Sequence, residues 1–403
     1  MAERPSRGQL RLNRRRLFAG SAAVVAAGAT LTQCSIARSS VTQELSDSAV
    51  EPFHGRHQAG ITTAPQAHAL FVALDLAPAP GRGPRDALAA VLKLWTSDAA
   101  RLTQGRAALA DTEPELAQRP ARLTVTVGLG PRLFDRIALG HRRPRAAAEP
   151  PGFATDRLEP QWCGGDLLLQ ICADDPITLA HTSRVLLKNV RTMTTVRWRQ
   201  TGFRNAAGGR GGSMRNLMGQ IDGTVNITDA AGFDRHVWHD GEDQPWFAGG
   251  TILVLRRIRA EMDTWDEIDR ASKELAVGRR LDTGAPLTGS SEFDEPDFAA
   301  TDRGIPVIPP NSHIAVARHR SDDERFLRRP YNYDDAPPTG RTTDSGLIFA
   351  TYQRDPAAQF TPVQRRLAEA DALNEWITTI GSATFAILPG VDDDGYLGES
   401  LLG

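Results

Sequence analysis

The chain has 403 residues, 40% hydrophobic and 24% charged, with a formal net charge of −2. That composition describes a globular protein, and the charge gives nucleic acid no electrostatic footing as a partner. The length exceeds what one hydrophobic core ordinarily serves, so two domains are expected.

Residues 1–40 read as a segment apart from the fold. Asn13-Arg14-Arg15-Arg16-Leu17-Phe18 precedes a run of small apolar residues from Ala19 to Leu31. A basic stretch followed by a short apolar stretch is the pattern of a secretory signal, too short for a permanent membrane span. The paired arginines before Leu17-Phe18 point to the twin-arginine export machinery, which carries folded proteins, and so to a cell-envelope or extracellular location. Leu31-Thr32-Gln33-Cys34 resembles a lipoprotein box, although Gln33 stands where a small residue is usual; lipid anchoring at Cys34 is one fate of this segment. Loss of residues 1–34 removes six arginines and Glu3, taking the net charge from −2 to −7.

A polar stretch to Gly60 leads into regular patterns. Ala69–Leu74 and Leu123–Val127 read as strands, and Pro84–Gln104 carries helical apolar spacing at Leu88, Val91, Leu92, Trp95, Ala99 and Leu102. Leu167–Cys172 is a further strand, Ile177–Val190 a helix and Thr194–Phe203 a strand. The order is βαββαβ, a ferredoxin-like arrangement. Cys163 and Cys172 flank one apolar strand, which would have to fold back on itself for a disulfide, so two free buried thiols are expected. Asn205–Gly212 is glycine-rich and reads as a linker.

The same order then recurs. Thr251–Leu255 is a strand, about Asp266–Ala276 a helix, and two short strands are expected around His313–Val316 and at Leu347–Tyr352. Pro362–Thr379 is read as helical and Thr384–Leu388 as the closing strand. The fold class is therefore α+β, with two ferredoxin-like halves at 54–204 and 205–403. Long irregular stretches at 279–311 and 329–345 are of the kind that is either functional or disordered, and the second half also holds nearly all the chemically suggestive residues.

The strongest signal is Arg215-Asn216-Leu217-Met218-Gly219-Gln220-Ile221-Asp222-Gly223-Thr224, whose core is G-x-x-D-G. Alone, it describes a hairpin turn. Downstream come Ser312-His313-Ile314, then Phe326-Leu327-Arg328-Arg329-Pro330-Tyr331-Asn332-Tyr333, then Gly346–Gln353. The chain ends with Leu388-Pro389-Gly390-Val391 and Gly395-Tyr396-Leu397-Gly398; upstream lie His57–Ile61 and Thr126–Gly130. In this order the segments resemble the dye-decolourising peroxidases over residues 54–403, and in particular the exported twin-arginine-dependent branch that includes deferrochelatase-like peroxidases. Pro330 departs from the glycine common in that branch.

The resemblance implies one haem b per chain, with His313 as the axial iron ligand and Asp371 as the acceptor that fixes its ring. His319 is the local rival for the iron. On the peroxide side it implies Asp222 as proton carrier and Arg328 as charge stabiliser, with Gly223, Leu347 and Phe349 in the same pocket. Leu347 and Phe349 are two apart on a strand and so face one way. The implied function is peroxide-dependent oxidation of bulky aromatic reductants through a ferryl intermediate, at the haem edge or at surface Trp and Tyr residues; a homo-oligomer is compatible with it. Two other readings stand beside it: a haem-handling protein that releases iron or delivers haem, and a haem-free binding protein on the same fold. The pairs His54/His57 and His236/His239 lack a third ligand nearby and read as loop histidines.

Overall fold

The computed structural model describes residues 48–77, 80–205 and 213–403. The signal segment, Cys34 and the glycine-rich linker at 206–212 lie outside the described residues. The first half contributes strands β1 (His68–Leu76), β2 (Thr124–Leu129), β3 (Leu167–Ala173) and β4 (Thr194–Phe203). Helices Pro84–Leu102 and Pro176–Val190 fill the two crossovers, with Trp95, Leu88 and Leu186 buried in one core with Leu70, Val125 and Leu169. The second helix starts where Asp175 accepts the Thr178 N–H at 2.7 Å and Pro176 occupies the first turn.

The second half opens with the two-residue strands β5 (Met214–Arg215) and β6 (Ile221–Asp222), which form a hairpin. Then come β7 (Thr251–Ala260), a small hairpin of β8 (Thr301–Asp302) and β9 (Ile305–Pro306), β10 (Leu327–Arg328), β11 (Tyr331–Asp335), β12 (Asp344–Gln353) and β13 (Ile377–Ile387).

Antiparallel pairing arranges the first sheet as β4-β1-β3-β2 and the second as β13-β7-β12-β11. The relative order is the same in both, so the duplicated ferredoxin-like arrangement holds. The two sheets also join each other. Ala386 and Ile387 of β13 pair with Leu129 and Gly128 of β2, and Asn332 of β11 pairs with Phe203 of β4. The strands thus close a ring, which leaves few open edges. Inside it Phe71, Leu168, Cys172, Tyr331, Tyr352 and Phe385 form one buried cluster.

Three local expectations need correction. His313–Ala317 is a short helix, not a strand, and its apolar run was too short for periodicity to separate the two. The strand expected there is supplied by β10 and β11 farther on. The helix expected over 362–379 spans Phe360–Ala370; Asp371 is extended (φ −72°, ψ 124°), and β13 begins at Ile377. The helix expected over 266–276 is split into Met262–Trp265 and Arg270–Val277. Both cysteines are free, Cys172 buried and Cys163 only partly so.

Gly202 sits at the β4–β11 seam, where a Cβ would lie 2.7 Å from Tyr331 Cβ and 2.8 Å from Ile348 Cδ1. Gly202→Ala should therefore destabilise the protein by about 1–3 kcal/mol, through overpacking at the closure of the ring. A urea melt should show a lower midpoint at unchanged slope; an unchanged midpoint would mean the seam adapts freely.

Candidate active site

A cavity of about 860 Å³ opens against the outer face of the second sheet, within the usual range for a bound small molecule. Alternation along β12 builds its wall. Leu347 and Phe349 line the cavity, while Ile348, Ala350 and Tyr352 point into the sealed ring. The neighbouring strand repeats the division. Arg328 lines the cavity, whereas Arg329 is fully buried on the other side, donating to Thr63 O and Gln66 Oε1.

His313 is the first residue of its helix and also lines the cavity. Its Nδ1–H donates to Asp371 Oδ2 at 2.6 Å. The other oxygen of Asp371 accepts the Leu373 N–H at 2.9 Å, capping the turn that follows. Breaking the helix at Asp371 is what aims its carboxylate at His313, and Ala372 N–H bonded to Asn311 O ties the two segments together. With Nδ1 committed, the imidazole nitrogen left for a ligand is Nε2. His319 lines the cavity too, but Asp371 is bonded to His313.

Asp222 and Arg328 meet in the same cavity. The Arg328 guanidinium donates to Asp222 Oδ1 at 3.0 Å and to Val225 O at 3.0 Å. G-x-x-D-G is thus both a hairpin and a site element: Gly219 (φ 92°) turns between β5 and β6, and Gly223 (φ 108°) lets the chain leave Asp222 in a conformation other residues resist. The expected residues His313, Asp222, Gly223, Arg328, Leu347, Phe349 and Asp371 all line one cavity. Sequence reading missed Asn226, which bonds the main chain of Arg328, and Arg279, a buried lining cation whose Nη1 donates to Gly284 O and Glu292 O. Contacts between a side chain and a distant main chain leave no spacing pattern to find.

The other histidines sit elsewhere. His57 stacks on Trp238 at 3.8 Å between ring centres and bonds Gly249 O at 2.7 Å, and His239 lies 3.4 Å from Asp243.

An iron porphyrin fits these residues. The cavity supplies apolar walls in Ile258, Leu347, Phe349 and Leu367, an imidazole with a fixed ring, and basic groups such as Arg279, Arg318 and Arg320 for acidic substituents.

In the ligand-free protein, burial works against charge on His313, but the Asp371 carboxylate and its hydrogen bond outweigh it and raise the pKa above the ordinary 6.5. The pairing therefore adds stability that is fully present below about pH 6.5 and is lost as pH rises through the elevated value. Asp371→Asn should lower the His313 titration midpoint and flatten that pH dependence, read by proton NMR and by urea melts at about pH 5 and about pH 8. An unmoved midpoint would show that Asp371 does not govern the ring.

Two family descriptions match the chain: "Dyp-type peroxidase, N-terminal" over residues 58–204 and "Dyp-type peroxidase, C-terminal" over 213–392. It is 42% identical to the dye-decolorizing peroxidase of Thermobifida fusca (strain YX), over 86% of this chain and 83% of that one. It is 35% identical to the deferrochelatase of Escherichia coli O6:K15:H31 (strain 536 / UPEC), over 97% of each. The crystal structure of a DyP-type peroxidase from Cellulomonas bogoriensis superposes with a TM-score of 0.85 at 52% identity, covering 89% of this chain and 99% of that one. A duplicated fold, a cavity holding His313, Asp222 and Arg328, and two matched halves together place this chain in the Dyp-type peroxidase family of haem enzymes.

Proposed function

We propose that this haem peroxidase uses His313 as its iron ligand and the Asp222–Arg328 pair as its peroxide-handling machinery, with bulky aromatic molecules as reductants. The observation that carries the reading is a single cavity lined by an imidazole braced by a buried carboxylate and by an acid–guanidinium pair. His313 Nε2 would hold the iron, and Asp371 would keep the ring oriented and electron-rich. When bound, the haem supplies the redox chemistry with peroxide.

The remaining steps belong to the protein. One Asp222 oxygen is held by Arg328, and the second makes no hydrogen bond to the described residues. That carboxylate can take a proton from one peroxide oxygen and return it to the other. Arg328 stays protonated and stabilises the negative charge that develops on the departing oxygen. Leu347 and Phe349 line the cavity as apolar side chains. With haem seated they would restrict the peroxide side to small molecules, leaving a dye-sized reductant to react outside it.

The second reading, haem handling with peroxidase activity secondary, draws on the near full-length likeness to a deferrochelatase. The acid–guanidinium pair favours the first, since cargo handling needs no proton carrier beside a charge stabiliser. Asp222→Asn and Arg328→Leu should both retain haem while reacting with peroxide slowly. The expected losses are about 10²–10⁴-fold for the proton carrier and about 10²–10³-fold for the charge stabiliser. Stopped-flow mixing with peroxide, followed by dye oxidation, reads both. Wild-type rates in both variants and in the double variant would move the haem-handling reading ahead.

The N-terminal segment supports a proposal about location. Arg15-Arg16 before Leu17-Phe18 suits twin-arginine export, after which the protein works in the envelope or outside the cell, with Cys34 available for lipid attachment. Arg15→Lys with Arg16→Lys should strand the precursor in the cytoplasm on fractionation; normal export of that variant would remove the twin-arginine route.

A further inference from the structure

Strand β10 is an edge strand, and its pairing with β12 leaves one residue exposed in a particular way. Leu327 pairs with Tyr352 and Arg328 with Thr351. The ladder bond at this point runs from Arg329 N–H to Ala350 O. Arg328 and Thr351 are therefore a non-hydrogen-bonded pair, and the Arg328 N–H and C=O point away from the sheet. Both groups would be unpaired there, beside the cavity, on the residue whose guanidinium faces Asp222.

The side chain of Asn226 takes both. Its Oδ1 accepts the Arg328 N–H at 2.9 Å, and its Nδ2 donates to the Arg328 C=O at 2.8 Å. One primary amide thus reproduces the donor–acceptor pair of a neighbouring strand. The two bonds also fix the amide's orientation, because only Oδ1 can meet an N–H and only Nδ2 a carbonyl. Asp222, Val225 and Asn226 lie within five residues, and all three hold Arg328: by the carboxylate, by a main-chain carbonyl and by the side-chain amide.

We infer that Asn226 is a positioning residue for the peroxide reaction, locking the Arg328 main chain so that its guanidinium is preorganised against Asp222. The inference rests on the proposed role of Arg328. An aspartate here would keep the acceptor for the N–H but set a carboxylate oxygen against the Arg328 carbonyl. An alanine would leave both edge groups to water. A shift of the order of 1 Å in a catalytic group costs about 10²-fold in rate. Asn226 makes no hydrogen bond with His313 or Asp371, so iron ligation does not pass through it.

The test compares Asn226→Ala, Asn226→Asp and Arg328→Leu singly, and Asn226→Ala combined with Arg328→Leu, all as haem-loaded proteins. Haem content, the rate of reaction with peroxide and the affinity of the ferric protein for fluoride are measured for each. Fluoride is a small anion that is not turned over, so its affinity would report on the placement of the Arg328 charge apart from the reaction. Asn226→Ala should keep its haem, lose about 10-fold to 10²-fold in peroxide rate, and lose fluoride affinity in parallel. Asn226→Asp should fall between it and the wild type. Added to Arg328→Leu, Asn226→Ala should change nothing further, since its effect runs through Arg328. Wild-type rates in both Asn226 variants, or losses that multiply in the double variant, overturn the inference. Loss of haem from both Asn226 variants also overturns it, by showing a structural role only. A wild-type rate in Arg328→Leu instead defeats the mechanism on which the inference rests, whatever Asn226 does.

Discussion

Side chains of an extended strand alternate between two faces, and in this protein one face is a buried core while the other lines the cavity that gathers His313, Asp222 and Arg328. β12 sends Ile348, Ala350 and Tyr352 inward and Leu347 and Phe349 outward. Across the adjoining strand, Arg328 and Arg329 are consecutive residues with opposite surroundings, one in the cavity and one fully buried. A one-residue slip of register would exchange them, placing the wrong arginine beside Asp222 and exposing core aromatics to the cavity. Ring closure guards against that slip, because β12 is bonded along both edges, to β7 and to β10 and β11.

On this rigid wall, two carboxylates of the same chemical type take different parts. Asp371 is buried and has both oxygens occupied, by His313 Nδ1 and Leu373 N. It is a fixed orienting group with no oxygen to spare. Asp222 gives one oxygen to Arg328 and keeps the other free of hydrogen bonds to the described residues, which suits the proton transfer proposed for it. Position in the fold separates the roles: Asp371 follows the end of a helix inside a capped turn, and Asp222 closes a two-strand hairpin at the cavity.

The cavity is assembled largely by the second half, yet it depends on the first. Arg329 is anchored by Thr63 O and Gln66 Oε1, and Asn332 of β11 pairs with Phe203 of β4. Strands β10 and β11, which carry Arg328 to its place, are thus braced from the N-terminal half, even though Thr155 is its sole cavity-lining residue among those described.

Much of this protein was determined by local sequence. The repeated βαββαβ order follows from apolar runs of strand length alternating with helical spacing, a pattern each segment carries by itself. His313, Asp222, Arg328 and Asp371 were singled out through the resemblance of their segments, in order, to the dye-decolourising peroxidases, and the fold brings all four to one cavity. Tertiary structure decided the rest. The apolar run at His313–Val316 is equally good as strand or helix, and packing at the cavity made it a helix. The helix over 360–370 stops before Asp371 because that carboxylate is engaged by His313, 58 residues earlier in the chain, and by the turn that it caps. The joining of two sheets into one ring and the amide of Asn226 against the main chain of Arg328 unite residues about a hundred or more positions apart. The first uses main-chain groups that nearly every residue carries, and the second sets a side chain against a main chain whose own residue type does not enter. Such bonds leave no trace in composition or periodicity, so only the folded chain shows them.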